Sequence, residues 1–345
     1  MSAHTMPLLD PDARRLLDLI RKAARPPFEA LSPADARAAY AASWDVMQSP
    51  GGAVASSEDV TIAGPGGPLT LRVYRGLGTA DDAVLPCLLF LHGGGWVIGN
   101  LESHDRMCRR LATVARICVV AVDYRLAPEH PFPAALDDAT AALRWVADHA
   151  DALRIHAGAL GVGGDSAGGN LAAALALVAR DQPSLPALSC QALIYPAVDL
   201  VADSDSYRRV VSDAPLTAAT MHYFIGHYAP NALDRRDWRA SPLRAPSLAG
   251  LPPAVVLTVA HDPLCDEGRA YAQRLDEAGV RVTALHLNDQ THGLLSQGRF
   301  VPAADVVGDT LFAAIGHALH RAAGRAPAFS TPAADGRQQQ PQETS

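Results

Sequence analysis

No two cysteines of this chain form a C-x-x-C pair. Cys87, Cys108, Cys118, Cys190 and Cys265 are dispersed and odd in number, which argues against a disulfide framework or a zinc site and makes a reducing cytoplasm the expected compartment. Long apolar runs are missing too. The longest, roughly Ala167 to Ala179, falls short of the ~20 residues a membrane-spanning helix needs. The first fifteen residues hold Pro7, Asp10, Pro11 and Asp12 where a secretory leader would carry basic and then apolar residues, so no leader is expected. Basic residues gather in no stripe, and a net charge of −7 with a pI near 6.0 gives no general attraction to nucleic-acid phosphates. There is no internal repeat.

What is present suits a large globular protein. Hydrophobic residues make up 49% of the 345 and charged ones 19%, enough apolar material for one big core with insertions. Short β-rich runs alternate with helical stretches. The runs are Asp59 to Ala63, Leu69 to Tyr74, Cys87 to Leu91, Ile117 to Val122, Leu160 to Gly163, Cys190 to Tyr195, Ala254 to Val259 and Val282 to Leu287. Helices are expected over Ser103 to Ala115, Ala134 to Ala150, Ala167 to Arg180, Asp266 to Ala278 and Ala303 to Arg321. Continuously apolar strands are buried on both faces, so the pattern predicts an α/β fold with a mostly parallel eight-stranded sheet covered by helices on both sides.

Two regions depart from the alternation. Residues 1–50 read as helices ahead of the first strand, and residues 199–250 separate two strands by far more than a usual connection. Such long excursions are commonly functional lids, and both are expected to form a helical cap over a core of residues 51–198 and 251–323. Residues 324–345, rich in Pro, Gln, Ala and Thr, bury too little apolar surface to order themselves and are expected to be a loose tail.

The strongest chemical signal is Gly164-Asp165-Ser166-Ala167-Gly168, set between an apolar strand and an Ala/Leu helix. Alone, G-x-S-x-G is about as often a plain tight turn. In this strand–turn–helix context it is a nucleophile elbow, which lifts the Ser166 hydroxyl above the sheet at a helix N-terminus. His92-Gly93-Gly94-Gly95-Trp96 follows another apolar strand. Three glycines leave backbone N–H groups bare for an oxyanion, where the bland reading is a flexible turn. His92 is read as fixing that loop. Asp262 and His292 stand just past later strands, at the sheet edge where α/β sites form, and the order Ser166, Asp262, His292 suits this fold. Asp266 and Glu267 compete with Asp262 but belong to a helix start, where carboxylates serve as caps. His261 is the second-choice base, turned away from its neighbour Asp262 if the chain is extended there.

With HGGGW at 92–96, DYRLAPEHPFPAALDD at 123–138, GDSAGGN at 164–170, SPL at 241–243, LPP at 251–253, DPLCDEG at 262–268 and HGL at 292–294, the chain resembles the hormone-sensitive-lipase-like esterases, in the branch with a GDSAG elbow. The resemblance spans roughly residues 60–322 and much of the N-terminal region. It implies Ser166, Asp262 and His292 as a catalytic triad and the amides of Gly93, Gly94, Gly95 and Ala167 as an oxyanion hole. It also implies a cap built from the N-terminal region and the insertion after the sixth strand. Cys265 where an arginine is common, His261 before the aspartate and Leu294 where a phenylalanine is usual bear on pocket shape. Within the Pro-rich bend of 123–138, Glu129 and His130 are expected to bond across the turn.

The expected reaction is hydrolysis of a short- to medium-chain carboxylic ester through an acyl-enzyme, in a mostly apolar pocket lined in part by Trp96, Leu216, Tyr223, Phe224 and Leu294. No metal or organic cofactor is expected. The partner is a small-molecule acyl ester, with no nucleic acid or membrane span, and a homodimer is left open. Deacetylation or lactone opening by the same triad is the first alternative. A non-catalytic small-molecule receptor, as in the plant gibberellin receptors of this family, is the second.

Overall fold

A computed structural model describes residues 8–212 and 214–324. The tail expected from residue 324 lies, past Gly324, outside the described residues. Eight strands form one sheet: β1 (Val54–Gly64), β2 (Gly67–Gly76), β3 (Leu85–Leu91), β4 (Cys118–Val122), β5 (Ile155–Asp165), β6 (Cys190–Ile194), β7 (Ala254–His261) and β8 (Val282–Thr291). Their order is β1-β2-β4-β3-β5-β6-β7-β8. The β1–β2 and β2–β4 pairs are antiparallel and the rest parallel.

Alternation along each strand explains why the central runs are apolar throughout. Leu89 and Leu91 of β3 face one side, with Val120, Val162 and Val256. Leu88 and Phe90 face the other, with Val119, Ala192 and Leu257. The first layer is closed by α4 (Ala134–Asp148), α5 (Ala167–Asp181) and α8 (Cys265–Glu277). The second is closed by α3 (Leu101–Ala115) and α9 (Ala303–Ala322). A fully buried leucine contributes about 1.5–3 kcal/mol, and these side chains fix which strand ends lie side by side. All five cysteines are buried and unbridged.

The strands and long helices expected from the sequence are all present, and the mixed, mostly parallel sheet is the α/β-hydrolase arrangement. The differences are at element ends. β1 starts five residues early, because polar Ser56, Ser57 and Glu58 pair with Arg75, Tyr74 and Val73 in a hairpin that needs no apolar face there. β5 starts at Ile155, paired with Leu85.

The two excursions carry α1 (Pro11–Ala23) and α2 (Pro33–Met47), then a short α6 (Asp205–Arg209) and α7 (Ala218–Tyr228). Helix α1 buries Ala13, Leu16 and Leu17 against Leu294, Val301 and Ala304. Helix α7 meets the segment before α2. Thr220 Oγ1 donates to Glu29 Oε2 at 2.8 Å, Tyr223 Oη to the Leu31 carbonyl at 3.1 Å, and the Phe28 and Phe224 rings lie 5.9 Å apart.

Candidate active site

Ser166 caps the C-terminal end of β5 and starts α5 with φ +55° and ψ −116°, a strained conformation for a non-glycine residue. Backbone hydrogen bonds to β6, to α5 and to the segment after β6 hold it there. Its N–H donates to the Ile194 carbonyl at 2.8 Å, and its carbonyl accepts from Asn170 N at 3.0 Å and Ala197 N at 3.2 Å. The turn is so close to β3 that a Cβ on Gly168 would lie 1.9 Å from the Leu91 carbonyl oxygen, so only glycine fits.

His292, just past β8, places Nε2 3.0 Å from Ser166 Oγ and Nδ1 2.7 Å from Asp262 Oδ2. Asp262, just past β7, is fully buried, and its Oδ1 accepts from Leu264 N at 2.8 Å. Ser166 can therefore donate to His292, and His292 to Asp262, in one line. Three parallel strands end at the same edge and bring together residues 126 and 30 positions apart. His261 ends β7 in register with Thr291, and the carboxylate of Asp262 turns to His292 instead.

The glycine loop lies against the elbow. His92 is buried, its ring stacked on Tyr124 at 4.2 Å, with Nδ1 donating to the Gly93 carbonyl at 2.8 Å. Burial and the neighbouring His104 push its imidazole down to about 3, so His92 is neutral and serves the loop, not proton transfer. One expectation needs correction. The Gly93 N–H, assigned with its neighbours to the oxyanion hole, donates to Asp165 Oδ1 at 2.9 Å. It is turned into the protein, which leaves Gly94, Gly95 and Ala167 as the candidate donors. Burial would raise the Asp165 carboxyl, but the adjacent His104, by charge and hydrogen bond, holds it below the ordinary carboxylate range.

The five expected pocket residues do not gather in one wall. Phe224 is buried and packs onto the α-carbon of Gly95, with half-buried Tyr223 beside it. Trp96 is sealed at 0% exposure and stacked on Tyr228 at 4.5 Å, so it backs the loop instead of lining a pocket. Leu216 is buried in the core layer that holds Phe224. Leu294 is fully buried beneath α1, in a different cluster. Two surface cavities of about 430 and 390 Å³ border α2, α3 and α9, and neither has Ser166 or His292 in its wall.

Three contacts escaped the sequence reading. Tyr195 sets its ring 4.7 Å from that of His292, and Gln297 Nε2 donates to the His292 carbonyl at 2.9 Å. Glu129 does not bond across the Pro-rich bend. It accepts from both terminal guanidinium nitrogens of Arg37 from α2, at 2.8 and 2.6 Å, while Arg125 and Asp138 close the bend. The first two follow short elements and carry no motif of their own. The third required knowing where α2 lands.

Residues 88–296 match the family described as alpha/beta hydrolase fold. The chain belongs to its hormone-sensitive-lipase-like esterase branch. It is 42% identical over 243 residues to the carboxylic ester hydrolase LipN of Mycobacterium tuberculosis, a match covering 69% of this chain and 64% of that protein. It is 43% identical to an ethyl acetate hydrolase of Pseudomonas putida, covering 70% of this chain and 76% of that one. Among solved structures, a thermostable esterase from Pseudomonas putida superposes with a TM-score of 0.86 at 34% identity, covering 91% of this chain and 99% of that one. An α/β-hydrolase enzyme from the Lake Arreo metagenome superposes equally well, at 43% identity, covering 90% and 98%. Among the described residues no helix is long and apolar enough to cross a membrane.

Proposed function

We propose that Ser166, His292 and Asp262 form the catalytic triad of a hydrolase for short- to medium-chain carboxylic esters. That the chain is a carboxylic ester hydrolase follows from its family and from relatives near 40% identity. The observation that carries the assignment of residues is the buried line of contacts at 3.0 and 2.7 Å through His292. His292 takes the Ser166 proton as the hydroxyl attacks the ester carbonyl, and Asp262 keeps the imidazole in the tautomer whose Nε2 is free to accept. The tetrahedral oxyanion forms against the amides of Gly94, Gly95 and Ala167. The imidazolium protonates the departing alcohol, and water repeats the sequence on the acyl-enzyme.

The two excursions, residues 8–50 and 199–250, form a two-part cap in this reading. Their mutual contacts at Glu29, Leu31 and Phe28, and the seat of Phe224 on Gly95, support a short acyl site closed from above. The test is labelling by a fluorophosphonate together with turnover of p-nitrophenyl butyrate. Wild type should react stoichiometrically and Ser166→Ala should do neither. Label retained in Ser166→Ala would move the nucleophile elsewhere.

A further inference from the structure

We propose that Asp165 and His104 are positioning residues for this reaction, acting through the glycine loop. The inference rests on the triad and oxyanion hole proposed above and names what holds that hole in register.

An oxyanion hole built from two chain segments works only if their amides are held at one spacing, since a displacement of a fraction of an ångström weakens both bonds to the developing charge. Here one donor, Ala167, belongs to the elbow, whereas Gly94 and Gly95 belong to the loop after β3. Both loop glycines have positive φ, +117° and +58°, so helix or strand hydrogen bonding does not stiffen them. One side chain crosses from the elbow to the loop. Asp165, the residue before the nucleophile, accepts the Gly93 N–H on Oδ1 at 2.9 Å.

The carboxylate is itself held. His104 of α3 stands with Nε2 3.2 Å from Asp165 Oδ1 and 3.3 Å from Gly93 N, and both side chains are nearly sealed from solvent. His104 Nδ1 lies 2.9 Å from Ser103 Oγ, and Ser103 closes the capping box with Asn100 that begins α3. A chain of contacts thus runs from the start of α3 through His104 and Asp165 to Gly93, one residue from the donors. Asp165 touches neither the substrate nor the reacting atoms in this scheme. Its carboxylate is a latch.

A latch and a general stabilising pair differ in their kinetics. Asp165→Ala removes the nearer acceptor and leaves only the longer contact of Gly93 N to His104 Nε2, at 3.3 Å, Asp165→Asn keeps an acceptor oxygen for Gly93 N–H without the charge, and His104→Phe keeps ring volume without either polar contact. For p-nitrophenyl butyrate, Asp165→Ala should lower kcat by roughly 30- to 100-fold, somewhat less than loss of a whole oxyanion donor, with KM within about twofold. The affinity for an alkyl trifluoromethyl ketone, whose hemiketal with Ser166 carries an oxyanion, should fall by a similar factor. Asp165→Asn should recover most of kcat, and His104→Phe should lose roughly tenfold. Amide exchange over residues 92–98 should quicken in Asp165→Ala and stay near wild type in Asp165→Asn. That readout needs no turnover, so it tests the latch even if esters prove not to be the substrates, an outcome that would count against the proposed function alone. Unchanged exchange and unchanged kcat in folded Asp165→Ala would overturn the latch. So would an Asp165→Asn variant as damaged as Asp165→Ala, since the charge and not the loop contact would then matter.

Discussion

His292 Nδ1 lies 2.7 Å from Asp262 Oδ2, with Asp262 at 0% exposure and its other oxygen bonded to Leu264 N. A carboxylate so confined can accept from one imidazole face only, and thereby dictates the tautomer of His292. Asp262→Asn keeps the size and the bond from Leu264 but can present an N–H to Nδ1, favouring the wrong tautomer. The expected result is a fall in kcat of roughly 10³- to 10⁴-fold with little change in KM and a nearly unchanged melting temperature. A loss under tenfold would mean that His292 does not depend on Asp262 for its orientation.

Gly95 is the point at which the proposed cap bears on the proposed oxyanion hole. A Cβ there would lie 2.2 Å from the Phe224 ring, and φ is +58°. Gly95→Ala must displace either the ring or the loop, and the loop carries two of the three candidate donors. We expect kcat to fall about 10- to 100-fold. Gly95→Ala combined with Phe224→Ala should recover part of it, because removing the ring relieves the clash but not the backbone strain. Equal activity in the single and double variants would mean that the ring does not press on the loop.

Most of this architecture was legible because its signals are local. The apolar runs at Leu88–Leu91, Val119–Val122 and Val255–Val259 announce strands buried on both faces, and each candidate triad residue stands at or just past the end of a strand. The less legible parts depend on what lands where. Ser56, Ser57 and Glu58 belong to a strand whose face is half solvent, and no apolar pattern betrays it. Gly93 looks no different from Gly94 in sequence. Only the reach of Asp165 across from β5 shows that its amide is occupied. Trp96 and Leu294 are large apolar residues beside site motifs, yet they are turned into the core by contacts with Tyr228 and with Ala13, Leu16 and Leu17 of α1, which lie 132 and 277 or more positions away in the chain.

Stability should fall in mild acid for a reason traceable to one ring. Burial holds the His92 imidazole at about 3 in the folded protein, against about 6.5 in the unfolded chain. Between these values the unfolded chain binds the extra proton, so the contribution of His92 is complete above about 6.5 and is lost as the pH falls toward 3. By pH 5 the loss amounts to ~2 kcal/mol. His92→Asn, whose amide can still donate to the Gly93 carbonyl, should start less stable at pH 7 and lose less between pH 7 and pH 5. Denaturant melts of both proteins at the two pH values give the comparison, and equal losses would show that His92 does not titrate with unfolding.

Acyl-chain selectivity tests the proposed cap and the proposed site together. Phe224 comes from α7, is held against Phe28 from the N-terminal excursion, and ends on Gly95. In the proposed site, a ring so placed would limit how far an acyl chain bound at Ser166 can extend. Each methylene contributes about 0.8 kcal/mol while apolar surface remains to bury it, and beyond that point it must displace packed side chains, at a typical cost of 1–3 kcal/mol. Across p-nitrophenyl esters from acetate to palmitate, kcat/KM should rise over the short chains and then fall steeply. Phe224→Ala vacates most of a phenyl ring, so its optimum should move to chains longer by several carbons while activity on acetate declines. An unshifted optimum in folded Phe224→Ala would place the acyl group away from α7, and a wild-type preference for palmitate would rule out a site closed by this cap.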